Sequence, residues 1–430
     1  MNKQTLLIGF TLFALFFGAG NLIYPPTLGI EAGTSYWIAL GGFILTGVGL
    51  PIIAVAAIAL ISNKTTELGT QVHPLFAIGF SSLIYLAIGP FFGIPRAANV
   101  AYEMSIIPLF SEPLNQSFLL FLFTVIFFIV VYWLSLNPKK LVDRIGQWLT
   151  PALLIAIAAL SVGSLLILDS NVQAPNEKYQ DNPFFTGFLE GYLTMDAIAA
   201  LAFGIIVITA FREFGITNRR EMVIFTIKAG CVAGLGLALV YGSIGWIGAK
   251  MATSGTFENG GQILSSAAEL TFGYYGNILL GIIVALACLT TSIGLTVACG
   301  QYFTKITKIS YRWIVTLVTI VSFLIANLGL NQIIAISVPV LVAIYPIAIV
   351  LILLTLIPRL VGTSKRIYRY SVMLTAIISI YEGLNAFGIY ITGVQPIIES
   401  LPLFSIGLGW LIPAIIGGLI GWLVDKQKQN

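Results

Sequence analysis

The residues of this chain that could do chemistry lie inside apolar helices, where polar groups are expensive. The first group is Phe16-Phe17-Gly18-Ala19-Gly20-Asn21-Leu22-Ile23-Tyr24-Pro25-Pro26, in the middle of an apolar stretch that begins at Leu6. Glycine holds a helix poorly and lets another group approach the backbone. The two prolines are expected to stop any helix from continuing unbroken. At membrane depth a break survives only where the freed backbone groups are buried in protein or line a cavity. Freed amides at a half-helix start attract anions, and freed carbonyls at a half-helix end attract cations. One broken helix can therefore hold a carboxylate and a cation side by side. A Gly-rich packing face with a proline kink at its end fits the same residues equally well.

The second group is Gly191-Tyr192-Leu193-Thr194-Met195-Asp196-Ala197-Ile198, with an acid near the midpoint of another apolar span. An ionisable residue at that depth costs several kcal/mol and marks a functional site by default. The third is a stripe of Tyr85, Phe92, Arg96, Asn99 and Glu103, whose spacings of seven, four and three place them on one helical face, weakened by Pro90 and Pro95. Arg96 and Glu103 must face the bundle interior or water; a gating pair and a structural ion pair between helices are equally good readings. The fourth is Ala287-Cys288-Leu289-Thr290-Thr291-Ser292. Such hydroxyls usually bond back to the helix, yet beside a half-helix end they offer hard oxygen ligands for sodium. Glu382 and Asn385 read as partners of neighbouring helices. His73 falls in a short polar loop, and Cys231, Cys288 and Cys299 have no metal-ligand spacing.

These groups are positioned by a polytopic helical frame. The 430 residues are 58% hydrophobic and only 9% charged, against roughly 25% charged in soluble domains. Spans of about 20 apolar residues recur throughout. The pattern predicts an all-α integral membrane protein with twelve transmembrane helices, at about 6–28, 36–61, 75–104, 116–136, 143–168, 184–211, 222–249, 274–303, 311–329, 332–357, 368–391 and 402–424. With both termini cytoplasmic, 18 of the 21 basic residues fall on the inside, Lys178 and Lys250 fall outside, and Arg96 lies within a span. Two outside segments, 169–183 and 251–273, read as loops long enough to cover an entrance. The net charge of +4 comes from loops and does not suggest nucleic acid. No HExxH, GxSxG or phosphate loop is present, so neither an enzyme nor an ATP-driven pump is expected. Spans 1 and 6 each open a set of five helices and each carries a central polar interruption. Matching irregularities in two halves point to an inverted-repeat transporter.

Over essentially its full length the chain resembles the bacterial branched-chain amino acid:cation symporters of the amino acid-polyamine-organocation superfamily. The marks are Phe17-Gly18-Ala19-Gly20-Asn21-Leu22-Ile23-Tyr24-Pro25-Pro26, Gly89-Pro90-Phe91-Phe92-Gly93-Ile94-Pro95-Arg96-Ala97 and Gly191 to Ile198. That family is similar in architecture to the neurotransmitter:sodium symporters. The resemblance implies a five-plus-five inverted repeat with helices 1 and 6 broken. The first repeat would cover 6–168, the second 184–357, and two further helices 368–424, in one domain of the bacterial plasma membrane. It implies import of Leu, Ile and Val with sodium; a proton, carried by Asp196 or Glu103, is the alternative coupling ion. Substrate contacts are expected from Ala19, Gly20, Asn21, Tyr192, Thr194, Asp196 and Thr291. A sodium site is expected from the hydroxyls of Thr290 and Thr291 with carbonyls of Ala14, Phe17 and Ala287. The arginine that serves the sodium symporters as outer gate is replaced here by Tyr24, leaving Arg96, with Glu103, as the candidate gate.

Overall fold

The computed structural model describes residues 3–61, 67–110, 115–136, 141–168, 171–213, 215–216, 218–357 and 364–429. Asp169, in the first outside segment, and Lys64, Lys139, Lys140 and Arg359, four of the 18 basic residues that the charge partition puts inside, lie outside the described residues. Among the described residues every regular element is helical. The main helices are Lys3–Phe16, Ala19–Ala32, Tyr36–Ile44, Leu50–Ile61, Pro74–Leu86, Gly93–Ser105, Gln116–Ser135, Leu141–Ile167, Pro183–Glu190, Asp196–Glu213, Arg219–Met251, Gly260–Thr307, Tyr311–Ala326, Leu330–Leu356, Lys365–Ala386 and Leu411–Gln429. Six helical runs among them are long and apolar enough to cross a membrane. Their outer faces present large apolar side chains, with Trp133, Leu166 and Trp313 each more than two-thirds exposed. A bilayer, unlike water, suits that surface.

The first break falls where the glycines place it. Lys3–Phe16 ends, Gly18 is extended, and a new helix starts at Ala19. The Asn21 side chain accepts a hydrogen bond from the Gly18 amide at 3.3 Å and so covers the junction. The prolines behave otherwise than expected. Pro25 and Pro26 lie inside the helix Ala19–Ala32, which continues past them. Their missing amides leave the carbonyls of Asn21 and Leu22 without helical partners. Packing against Arg219–Met251 holds the segment straight enough to go on: a Cβ on Gly245 would come within 2.9 Å of the Pro25 carbonyl oxygen, and one on Gly248 within 2.1 Å of that of Pro26. Only glycine permits this approach of two backbones.

The second break is built differently. Pro183–Glu190 tightens into a 3₁₀ turn, Gly191–Thr194, and Met195 then takes a left-handed conformation (φ 68°) before Asp196–Glu213 begins. The helix bearing the polar stripe is also bent, through a π turn at Ala87–Phe91 with Gly89 non-helical. The bend spares the stripe: Tyr85, Phe92, Arg96 and Asn99 are all buried.

The segment 251–273 is not a loop throughout. Its second half is the start of the helix Gly260–Thr307, which is interrupted at Gly273 (φ 70°). The Asn259 side chain accepts from the amides of Gly261 and Gln262 and caps it. Ile263, Leu264, Ala267 and Ala268, at spacings of one, three and one, form its buried face. The other outside segment lies over the end of Ala19–Ala32. The Asn176 amide donates to the Glu31 carbonyl and the Thr34 amide to the Gln173 carbonyl, both at 2.9 Å.

Candidate functional site

The two breaks face each other across a small cavity of about 40 Å³. Ala19, Gly20, Asn21, Thr194, Asp196 and Thr291, six of the residues expected to contact substrate, line it, and so does Arg96. Ile88, Ala199, Phe203 and Leu295 supply an apolar side. The volume holds a few waters but not an amino acid, so a larger occupant has to displace side chains.

Asp196 and Asn21 join the breaks directly. Asp196 Oδ2 accepts from Asn21 Nδ2 at 2.7 Å and from the Tyr241 hydroxyl at 2.9 Å. Asn21 Nδ2 also meets the Tyr241 oxygen. Asn21 and Asp196 are 1% and 3% exposed, so bulk water does not compete for these bonds. The Thr194 hydroxyl donates to the Gly191 carbonyl at 3.0 Å and stabilises the 3₁₀ turn from within. Tyr241 is absent from the sequence expectations. A lone tyrosine among apolar residues reads as packing, and nothing local marks its partner 45 residues away.

Arg96 reaches the same centre from the bent helix. Its Nη1 donates to the Leu193 carbonyl at 2.7 Å and to the Tyr24 hydroxyl at 3.3 Å, and its Nη2 donates to the Thr194 carbonyl at 3.3 Å. The guanidinium carbon lies 5.4 Å from the centre of the Tyr24 ring. A Cβ on Gly20 would fall 2.6 Å from Nη2 and 3.1 Å from the Thr194 oxygen, so a side chain here would push the guanidinium aside. Glu103, two turns away, instead accepts from Asn259 Nδ2 at 2.6 Å. The structure therefore separates the two residues of the expected gate, Arg96 to the cavity and Glu103 to a helix cap. Asn99 ties its own helix to the next layer by donating to the Ala326 carbonyl at 2.9 Å.

Tyr192 does not line the cavity. Its ring stacks on Tyr345 at 4.5 Å and meets Phe188 edge-on. Of the expected sodium ligands, Thr290 donates to the Ala287 carbonyl at 2.8 Å. Thr291 lies against the first break, 3.4 Å from where a Cβ on Gly18 would stand. Ala14 and Phe17 belong to the turn that ends there, and the Phe17 amide bonds the Phe13 carbonyl at 2.8 Å.

Outside the cavity, Lys178 links the far end of Ala19–Ala32 to the residue that precedes the second break. Its ammonium is 3.5 Å from Glu31, at the end of Ala19–Ala32, and pairs with Glu190, at the end of Pro183–Glu190. Burial pulls the Lys178 ammonium down, and the two carboxylates more than offset this, holding it above the usual lysine value. His73, as expected of a loop residue, caps the helix Pro74–Leu86 by accepting from the Leu75 amide.

Comparison with known proteins decides the family. The model of the branched-chain amino acid transport proteins matches residues 1–428. The chain belongs to this family. The branched-chain amino acid permease BraB of Bacillus subtilis is 45% identical over 425 residues, which cover 98% of this chain and 95% of that one. Among solved structures, Mhp1, a nucleobase-cation-symport-1 family transporter in a closed conformation with bromovinylhydantoin bound, superposes with a TM-score of 0.60 at 16% identity. The match covers 97% of this chain and 91% of that one. MhsT in complex with L-phenylalanine gives 0.57 at 13% identity, covering 98% of each chain. The fold is thus shared with these transporters. The protein is a multi-pass membrane transporter and not an enzyme.

Proposed function

We propose that this protein imports Leu, Ile and Val through the bacterial plasma membrane by symport with sodium, and that the substrate sits between the two helix breaks. Twelve membrane-spanning helices, both termini inside, would form the frame. Residues 6–168 and 184–357 would be inverted repeats, with 368–424 added. The observation that carries the reading is the convergence of both breaks on one buried cavity with Asn21 and Asp196 in direct contact. The carboxylate binds the first-turn amides of Ala19 and Gly20, which have no partner within their helix. The ammonium binds carbonyls of the second break, with Asp196 near. The aliphatic chain lies toward Ile88, Ala199, Phe203 and Leu295. Such a pocket separates side chains by only about 1–3 kcal/mol per methylene, so overlapping selectivity among Leu, Ile and Val follows. BraB is named for branched-chain amino acids, and MhsT was solved with an amino acid; both support an amino acid as the substrate here.

Sodium is assigned to the hydroxyls of Thr290 and Thr291 with carbonyls of Ala14, Phe17 and Ala287. An ion there ties the end of Lys3–Phe16 to Gly260–Thr307 and stabilises one state over another, as coupling requires. The second reading is proton coupling through Asp196, favoured by its burial in the centre of the site. Uptake of radiolabelled leucine into proteoliposomes separates the two. The sodium reading expects accumulation driven by an imposed sodium gradient. It also expects Thr290→Ala and Thr291→Ala each to raise the half-saturating sodium concentration, and the double variant to lose sodium stimulation. Accumulation driven by a pH gradient alone would transfer the coupling role to Asp196.

A further inference from the structure

Arg96 is a permanently charged group whose direct partners carry no full counter-charge. It is 3% exposed, and guanidinium does not give up its proton in proteins. Among the described residues no carboxylate forms an ion pair with it. The acid in its cavity, Asp196, has Oδ2 engaged by Asn21 and Tyr241. Its own acceptors are two carbonyls and a hydroxyl, and its Nε is buried without a partner. A buried cation whose direct contacts are all dipoles, with Asp196 acting on it only from across the cavity, is costly, and the usual remedy is an anion in contact.

The other features of the cavity make the same demand. Gly20 lies against the guanidinium, and the helix that starts at Ala19 directs its first-turn amides and the positive end of its dipole there. Two positive features side by side repel each other until an anion lies between them. A carboxylate is planar and presents two oxygens, which suits both a guanidinium fork and a pair of backbone amides. Beside them, the Leu193 and Thr194 carbonyls already accept two charged N–H donors from Arg96 at 2.7 and 3.3 Å. Those oxygens are therefore shown to be placed for a cationic nitrogen.

We infer that Arg96 is the substrate-carboxylate ligand of this transporter, and that its guanidinium holds the Leu193 and Thr194 carbonyls until the substrate ammonium takes them over. The inference rests on the amino acid reading above and deepens it. No covalent step is involved; the exchange is of hydrogen bonds. An arriving amino acid gives Arg96 a carboxylate and takes from it two carbonyls. A ligand with an ammonium alone would displace Arg96 and leave it without an anion. A ligand with a carboxylate alone would leave the carbonyls on Arg96. Selection for the zwitterion follows from this exchange, with no separate gate. It also accounts for the small cavity: the arginine side chain stands where part of the substrate has to go.

The test compares leucine with leucinamide, which keeps the ammonium and side chain but lacks the carboxylate. Apparent affinities are read from the thermal shift of the purified full-length protein at rising concentrations of each compound. In the wild type, leucine should bind at least 100-fold more tightly than leucinamide. In Arg96→Gln the ratio should fall below tenfold, through loss of leucine affinity with little change for leucinamide. Arg96→Lys, which keeps the charge but not the fork, should give an intermediate ratio and covers the case in which the glutamine variant does not fold. A wild-type ratio in either variant, or an equal loss of both ligands, overturns the assignment and makes Arg96 a structural residue. If the wild type binds no leucine, the amino acid reading fails, and the Arg96 assignment falls with it.

Discussion

Two sets of contacts join the same pair of broken helices, and they differ in depth. At the centre, Asn21 and Asp196 bond directly, with Tyr241 on the same carboxylate oxygen. Away from the cavity, Lys178 pairs with Glu31, at the outer end of Ala19–Ala32, and with Glu190, just before the second break, and its side chain is 49% exposed. The central groups are cut off from bulk water, so a bond lost there leaves a buried polar group short of a partner, at about 1–3 kcal/mol. The outer pairs are partly exposed, 49% at Lys178 and 31% at Glu31 against 16% at Glu190, and are screened by salt, so they contribute on the order of 1 kcal/mol or less. Charge count would rank the outer tie first; burial reverses the order. The centre should set substrate affinity, and the outer tie should only adjust how often the two helices part.

Four substitutions press on that contrast. Gly20→Val places branched carbons where a single Cβ already falls 2.6 Å from Arg96 Nη2. Leucine binding should be abolished in a protein that still inserts and elutes as one monodisperse species; normal binding would put the carboxylate elsewhere. Asp196→Asn turns an acceptor of two donors into a group that presents a donor of its own. Leucine affinity should fall roughly 30- to 100-fold, about 2–3 kcal/mol, and an unchanged affinity would reduce Asp196 to packing. Tyr241→Phe removes one of the two bonds to the carboxylate, and an equilibrium binding assay should show a loss of about tenfold. Lys178→Ala should change the half-saturating leucine concentration by less than about threefold, and the change should vanish in high salt. A loss as large as that of Asp196→Asn would contradict the ranking by depth. The outer tie also carries a pH signature. Because the Lys178 ammonium is held above its ordinary value of 10.5, its contribution is fully present below that pH. It is lost as pH rises through the raised value. Melting temperatures of the wild type and Lys178→Ala should therefore converge in that alkaline range and differ most below it.

The sequence makes some of this depth visible and hides the rest for identifiable reasons. Gly18, Gly20 and Asn21 announce the first break because their types are wrong for a mid-membrane helix. Asp196 announces the second for the same reason. Tyr241 carries no such mark, since an aromatic ring suits an apolar span whether or not its hydroxyl is used. The carbonyls of Leu193 and Thr194 are invisible in principle, because every residue has one and only backbone geometry turns it outward. Arg96 is legible as a buried charge, but its partner is not; reading it with Glu103 follows their helical spacing and misses that their neighbours differ. Pro25 and Pro26 mislead in the opposite sense: local preference says stop, and the glycine-lined packing against Arg219–Met251 carries the helix through. The helix that begins at Gly260 is masked in the sequence by Ser254, Gly255, Gly260, Gly261, Ser265 and Ser266, although Ile263, Leu264, Ala267 and Ala268 trace its buried face.

The central claim is that substrate binds between the two breaks, and a map of the protein with leucine bound tests it most directly. Single-particle electron cryomicroscopy of the purified protein in saturating leucine and sodium should place the carboxylate within hydrogen-bond distance of the Gly20 amide. It should place the ammonium on the Leu193 and Thr194 carbonyls and the side chain toward Phe203 and Leu295. Leucine density anywhere else, with Arg96 still bonded to both carbonyls, would contradict the account.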